Sequence, residues 1–221
     1  MESSQHPIKK IGYSLPDHFI DGEQTYLKTE EGSLPLLVFG FHNLRNLAGA
    51  QWIAQLMGLD RSDFYEAMPS FTGALKRLEL YSKGTNNFLF KDFAHSPSKV
   101  KATSLAIKNQ FELKKIIVCL ELYTYSSLDL TFINQYANSL DSIDEAIIFY
   151  DPEILRIKNR APILQENIEQ GFGHSSLQVF TKASQLQTSL LEKNFSNVVL
   201  VMMSSGNFGG INWGALRERF L

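Results

Sequence analysis

Cysteine occurs once in the 221 residues, at Cys119 inside the apolar run IIVCL. A lone thiol excludes an intrachain disulfide framework and any CxxC motif. No stretch approaches the ~20 apolar residues that cross a bilayer, and the opening MESSQHPIKK lacks a signal peptide's apolar segment. An excess of charge is missing too: 21 Lys and Arg against 23 Asp and Glu leave a net −2. That balance gives neither a polyphosphate-binding surface nor a polybasic membrane anchor. What remains is 44% hydrophobic, 20% charged and 12% aromatic. Such a composition fits one or two globular domains and not disorder, collagen or coiled coil. The expectation is a soluble, cytoplasmic protein.

Along the chain, the first forty or so residues read as short strands and turns. KKIGYSLP and QTYLKTEEGSLPLLVFG carry strand formers broken by Gly and Pro, with no evident complete sheet. Leu44, Leu47, Ala48, Trp52, Ile53, Leu56 and Met57 then recur at helical spacing, and Gly58 stands where a helix stops. Asp60 or Ser62 could cap a second short helix closed by Pro69. This first unit reads as the tail of a larger domain and ends near residues 70–73.

From Lys76 the pattern becomes regular. RLELYS and NNFLFKDFA predict a strand pair around KGTNN, followed by a helix over 97–110 and the strand KKIIVCLEL. A helix over 128–140, the strand EAIIFYD, a loop over 152–162 and a helix over 163–170 come next. LQVF, a helix over 182–191, NVVLVMMS and a helix over 213–220 complete the series. Apolar strands alternating with amphipathic helices predict an α/β fold, a mostly parallel sheet covered on both faces.

In such a sheet, ligands bind beyond the carboxyl ends of the strands. Three of those ends are polar: KDFAHSPSK, ELYTYSS and SSGNFGG. Asp92 could hold a ribose hydroxyl and His95 a phosphate or a proton. Equally, Asp92 could centre a loop that caps the next helix through Ser96 or Ser98. The pair His42-Asn43 opening a helix has the same two readings. The glycine-rich turn from Ser204 to Gly210 could offer amides to an anion, yet it matches neither a Walker A loop nor a dinucleotide fingerprint. HExxH and Gly-x-Ser-x-Gly are absent, and Cys119 reads as buried in a strand.

Taken in order, GFHNLRNLAGA, LKRLEL, KDFAHSPSKVKAT and VMMSSGNFGGI resemble the carboxyl-terminal part of a Mur ligase, from about Phe39 to Ile211. Mur ligases are ATP-dependent enzymes of peptidoglycan assembly that join an amino acid or peptide to a UDP-linked muramic acid. The resemblance implies a Rossmann-like third domain over 74–221, with helices on both faces. It also implies that 1–73 is the end of a P-loop-type central ATPase domain. Neither that domain's phosphate loop nor its magnesium-binding segment nor a UDP-sugar domain is recognisable, so a longer natural protein is expected.

Carried over by position, His42, Asn43, Asn46, Arg77 and Asp92 would face the nucleotide. Arg77 reaches the ATP phosphates, and His95 continues the Asp92 loop toward the reaction. Glu121, Tyr123, Ser126, Ser205 and Asn207 would read the incoming amine donor. Lys91 stands where many relatives carry a second acid and receives no role. Mg²⁺ ligands are expected mainly upstream, and none is assigned here. Within the family, FGGI after SSGN and the Glu121-bearing strand end resemble the recycling ligase that attaches L-Ala-γ-D-Glu-meso-diaminopimelate. The L-alanine-adding ligase is next, but it has a basic segment at the place of LELYTYSSL. The resemblance further implies that the isolated 221 residues are inactive and bind ATP weakly, with UDP-N-acetylmuramate held by the missing domains. The alternatives are a stand-alone binding or regulatory module and a folylpolyglutamate synthase-like ligase.

Overall fold

The computed structural model describes residues 10–221. The expectations that fall on residues 1–9, those for the opening segment and for the first residue of KKIGYSLP, lie outside the described residues. The chain divides into two compact units, Met1–Phe71 and Thr72–Leu221.

In the first unit, β1 (His18–Asp21), β2 (Gln24–Thr29) and β3 (Gly32–Leu36) form an antiparallel meander in that order. This corrects the expectation that no complete sheet lies here. Two-residue turns at 22–23 and 30–31 fix the register, and Gly22 takes the first at φ 60°, which a side chain would resist. The strand expected at KKIGYSLP is not formed over 10–16; β1 starts just after Pro16 and Asp17.

Helix α1 (Phe41–Leu56) and helix α2 (Arg61–Ala67) follow, and Gly58 stands beyond α1 at φ 92° as a stop. Leu27, Leu36, Val38, Leu44, Leu47 and Phe64 make the core. The second half of the apolar stripe on α1 departs from expectation, because Trp52, Ile53, Leu56 and Met57 are exposed. A 16-residue helix extends roughly 24 Å, beyond the roughly 20 Å reached by strands of four to six residues. Asp60 takes the N-cap position of α2 without a side-chain cap bond.

The second unit holds the large sheet. Its strands are β4 (Glu79–Lys83), β5 (Phe88–Asp92), β6 (Lys115–Glu121), β7 (Glu145–Phe149), β8 (Leu177–Phe180) and β9 (Val198–Met203). In space they run β4-β5-β9-β6-β7-β8. Only the β4–β5 pair is antiparallel; the others are parallel. Strands β6, β7 and β9 are apolar along almost their whole length, as strands covered on two faces must be.

The helices are α3 (Pro97–Gln110), α4 (Leu130–Ile133), α5 (Pro152–Ile157), α6 (Gln165–Phe172), α7 (Ala183–Glu192) and α8 (Trp213–Glu218). Alternate strand residues divide between the faces. Leu89, Ile117, Cys119, Ile147, Phe149, Leu200 and Met202 pack with Leu186 and Leu190 of α7 and Leu216 of α8. On the other face Phe88 and Phe90 meet Phe111, just beyond α3, with ring centroids 4.8 and 5.8 Å apart.

Two expected elements differ. The helix over 128–140 shrinks to α4 and a single 3-10 turn, Asn134–Tyr136, because Asn138 adopts φ 61° and breaks the run. The loop over 152–162 contains α5. Its Pro152 occupies the first helical turn, where proline is favoured, and the Asp151 side chain caps it by accepting from the Glu153 amide at 2.9 Å.

Strand order places the site. The chain runs β5, β6, β7, β8 outward in one direction, then returns through α7 to insert β9 between β5 and β6. Right-handed crossovers that reverse direction put their helices on opposite faces. The loop after β9 therefore leads to one face, while the loops after its neighbours β5 and β6 lead to the other. A crevice opens between loops that part in this way.

Candidate functional site

A cavity of about 260 Å³ lies at that switch point, bounded by Asp92 at the end of β5 and Phe93 just beyond it, the Ser204–Phe208 turn after β9, and Trp213. Lys76 and Lys91 complete its polar wall. Of the residues expected at the site, Asp92, Ser205 and Asn207 line this cavity.

Asp92 serves the backbone first. Its carboxylate accepts from the Leu78 amide at 2.6 Å and from the Ala94 amide at 2.5 Å. Burial pushes this carboxyl up, while the two amides, Thr103 and the nearby Arg77 charge pull it down; the net shift is upward. The Asp-centred loop is thus formed, but Ser96, at the N-cap of α3, makes no side-chain cap bond. Replacing Asp92 by Ala strands two amides, so a loss of about 2 kcal/mol is expected in urea unfolding, with Asp92→Asn losing about half of that.

His95 is half-buried, with Nδ1 2.8 Å from the Phe93 carbonyl. That contact puts the proton on Nδ1 in the neutral ring and leaves Nε2 as an acceptor. Tyr136, packed under α6, donates its hydroxyl to the His95 carbonyl and so ties down the loop. Arg77 is exposed at the start of the unit, one residue before Leu78, which sits at φ 50°.

Glu121 plays a part that sequence reading did not anticipate. It is 3% exposed, accepts the Ser204 hydroxyl, and accepts the Phe208 amide at 2.8 Å on the same oxygen, Oε2. Ser204 Oγ in turn accepts the Gly206 amide at 2.6 Å. The anion that meets the glycine-rich turn, at its Phe208 amide, is therefore a side chain of the protein. Burial raises the Glu121 carboxyl and Asp151 adds to this, against the pull of Ser204, Phe208 and Lys158; the net shift is upward. Gly206 is required by space: a Cβ there would lie 2.7 Å from Glu121 Oε2 and 2.8 Å from the Tyr123 ring.

Tyr123 and Tyr125 gather cations from another element. The Lys158 ammonium donates to the Tyr123 carbonyl and lies 4.3 and 4.8 Å from the two ring centroids. Arg160 lies 5.6 Å from the Tyr125 ring and pairs with Asp129 at 3.1 Å. Ser126 is exposed, its Oγ 3.2 Å from Thr124 Oγ1.

In the first unit, His42 is half-buried near the start of α1, and burial lowers its pKa. Asn43 donates its side-chain amide to the Phe39 carbonyl at 2.9 Å, and Asn46 is exposed. Cys119 is fully buried, with burial and the Glu121 charge holding its thiol well above the usual range. Sequence reading missed Lys76, Trp213 and Lys158 and left Lys91 without a role. No motif marks these residues; the strand order collects them.

A doubly wound sheet whose switch-point loops enclose a cation-lined cavity defines an α/β domain with a candidate ligand site at the strand ends. No family model matches the chain. The UDP-N-acetylmuramate–L-alanine ligase of Caldicellulosiruptor bescii is 32% identical over 135 residues, covering 61% of this chain and 29% of that protein. The solved UDP-N-acetylmuramate–alanine ligase of Thermotoga maritima superposes with a TM-score of 0.69 at 18% identity, over 96% of this chain and 46% of that one. The murein peptide ligase of Psychrobacter arcticus gives 0.54 at 20% identity, over 90% and 42%. The chain spans less than half the length of each. The relatives and fold neighbours it resembles are Mur ligases.

Proposed function

We propose that the chain is the carboxyl-terminal part of an ATP-dependent Mur-type ligase, with 1–73 the end of the central domain and 74–221 the third domain. The observation that supports this best is the donor-lined cavity at the β5/β9 switch point, in a chain related to such ligases. The reaction consumes ATP to convert the carboxylate of UDP-N-acetylmuramate to an acyl phosphate, releasing ADP. The free amine of an amino acid or peptide then attacks that carbonyl, and the amide forms as phosphate and a proton leave.

This part of the enzyme positions and neutralises. Arg77 offers a guanidinium to the nucleotide phosphates, and Asn46 and the half-buried His42 stand for the nucleotide side of the first unit, where Asn43 holds the Phe39 carbonyl. His95 presents Nε2 as a proton acceptor near the cavity loop. Asp92, committed to two amides, shapes the ribose side by holding the loop. Among the described residues no group of three or more His, Cys, Asp or Glu is suited to a metal.

The tripeptide L-Ala-γ-D-Glu-meso-diaminopimelate is the donor suggested by FGGI and the Glu121 strand end. A second reading, L-alanine, is favoured by two observations. Glu121 is spent on the Ser204–Phe208 turn, and Lys158 and Arg160 bring to Tyr123 and Tyr125 the cations that the segment itself lacks. The L-alanine ligase of Caldicellulosiruptor bescii, a relative by sequence, adds weight to it.

The test is made on the native protein, captured from its source cells with an antibody to this chain and supplied with ATP, UDP-N-acetylmuramate and either donor. The expected result is a polypeptide much longer than 221 residues that forms amide product with one donor, while the 221-residue chain alone forms none. A native chain of 221 residues without ligation would overturn the proposal in favour of a binding module.

A further inference from the structure

Lys91 is one of the polar residues of the cavity that the ligase reading leaves unused. It extends from the end of β5, and its ammonium lies 3.3 Å from the Tyr81 ring centroid and 3.7 Å from that of Trp213. Two aromatic faces hold a cation by their negative quadrupoles but give it no counter-ion. Burial lowers the Lys91 pKa and the Lys76 charge lowers it further, while Glu79 opposes both. Lys76, exposed on the same wall, bonds Glu79 through its backbone amide at 3.1 Å.

The rest of the wall is short of acceptors. Asp92, the carboxylate that lines the cavity, already receives the Leu78 and Ala94 amides. Ser204 is committed to Glu121 and Gly206. The buried Ser205 Oγ has no hydrogen-bond partner among the described residues, and the Asn207 side-chain amide faces the same mouth from an exposed position. The wall groups without a hydrogen-bond partner are thus two ammonium ions, a hydroxyl and an amide, with Glu79 opposite Lys91 on β4 as the neighbouring carboxylate. A hollow with that inventory is complementary to an anion with several oxygens.

We propose that this cavity is an oxyanion receptor in which Lys91, aimed by Tyr81 and Trp213, contacts the ligand directly with Lys76. The ligand is a phosphate or a carboxylate group of a small molecule. The proposal rests on the ligase reading only in its choice of probes, namely nucleotide phosphate or the carboxylate of the amine donor. Binding neutralises Lys91 in place and leaves the ring cage intact, so the site is preorganised.

The test uses the 221-residue chain carrying Trp52→Phe, which leaves Trp213 as the single tryptophan and therefore as reporter. Pyrophosphate and ADP probe the phosphate source; L-alanine and the tripeptide probe the carboxylate source; adenosine and L-alaninamide are the uncharged controls. Calorimetry and Trp213 fluorescence should detect binding of at least one anionic probe, weakening with salt. Lys91→Met should lower that affinity about tenfold, and Lys76→Met by a smaller factor, with Lys91→Arg retaining most of it. Melting curves establish that each variant is folded, and Lys91→Gln, which also removes the charge, carries the test if Lys91→Met unfolds.

Equal binding of the uncharged controls, absence of binding by every anion, or a folded Lys91→Met within twofold of the parent would overturn the proposal. Ligation by the native protein is read separately, so failure of either inference leaves the other standing.

Discussion

Replacing Glu121 by Ala should cost about 3 kcal/mol and release the turn between Ser204 and Phe208. The change removes a carboxylate that is 3% exposed and leaves the buried Phe208 amide and the Ser204 hydroxyl without their acceptor. Glu121→Gln should behave differently. Both hydrogens reach one oxygen, Oε2, so a carboxamide oxygen in that place can accept the pair, and the cost of burying a charge disappears. A change within about 1 kcal/mol is expected for Gln.

The pH dependence separates the two further. The folded-state pKa of Glu121 is raised above its ordinary 4.5, so between these values the folded chain binds more protons than the unfolded one. Its contribution is complete below pH 4.5 and is lost as pH rises through the raised value. Glu121→Gln should therefore flatten the decline in stability over that window, as measured by urea unfolding at a series of pH values. An unchanged slope in the Gln variant would show that the pH response belongs to another group.

Phe208→Ala should destabilise the second unit by a similar amount, about 3 kcal/mol. Phe208 is 1% exposed at φ 54°, a conformation that a bulky side chain adopts only when its surroundings impose it. Those surroundings are Phe149, with centroids 6.4 Å apart, and Trp213 in an edge contact at 6.0 Å. The ring plugs the turn into the core made by α7, α8 and the sheet, and the amide of the same residue is held by Glu121. The two losses share one anchor. Glu121→Ala with Phe208→Ala should therefore cost less than the sum of the singles, which a thermal double-mutant cycle measures. Strict additivity would mean that the turn is held at two independent points.

Both effects concern a turn that was legible in the sequence only as glycine-rich. Its amides looked available for an outside anion because local pattern says nothing of a carboxylate some 85 residues away. The same distance hides the cage around Lys91, built from Tyr81 on β4 and Trp213 on α8, and the approach of Lys158 to Tyr123. Elements were easier to read. The apolar runs of β6 and β9 and the helical spacing of α3 are local properties, repeated over seven, six and fourteen residues. Short elements escaped, such as β1 with four residues and α5 with six, where proline and glycine mark both element starts and turns.

By itself, the sequence determined the alternation of strands and helices, the burial of Cys119 and the polar character of three strand ends, because each depends on the chemistry of neighbouring residues. The three-dimensional arrangement decided which strand ends meet. Inserting β9 between β5 and β6 brings the Ser204–Phe208 turn beside Asp92 and Lys91 and over Glu121. The reason is physical. Strand order is set by the packing of whole faces across the sheet, and no single stretch of chain records it.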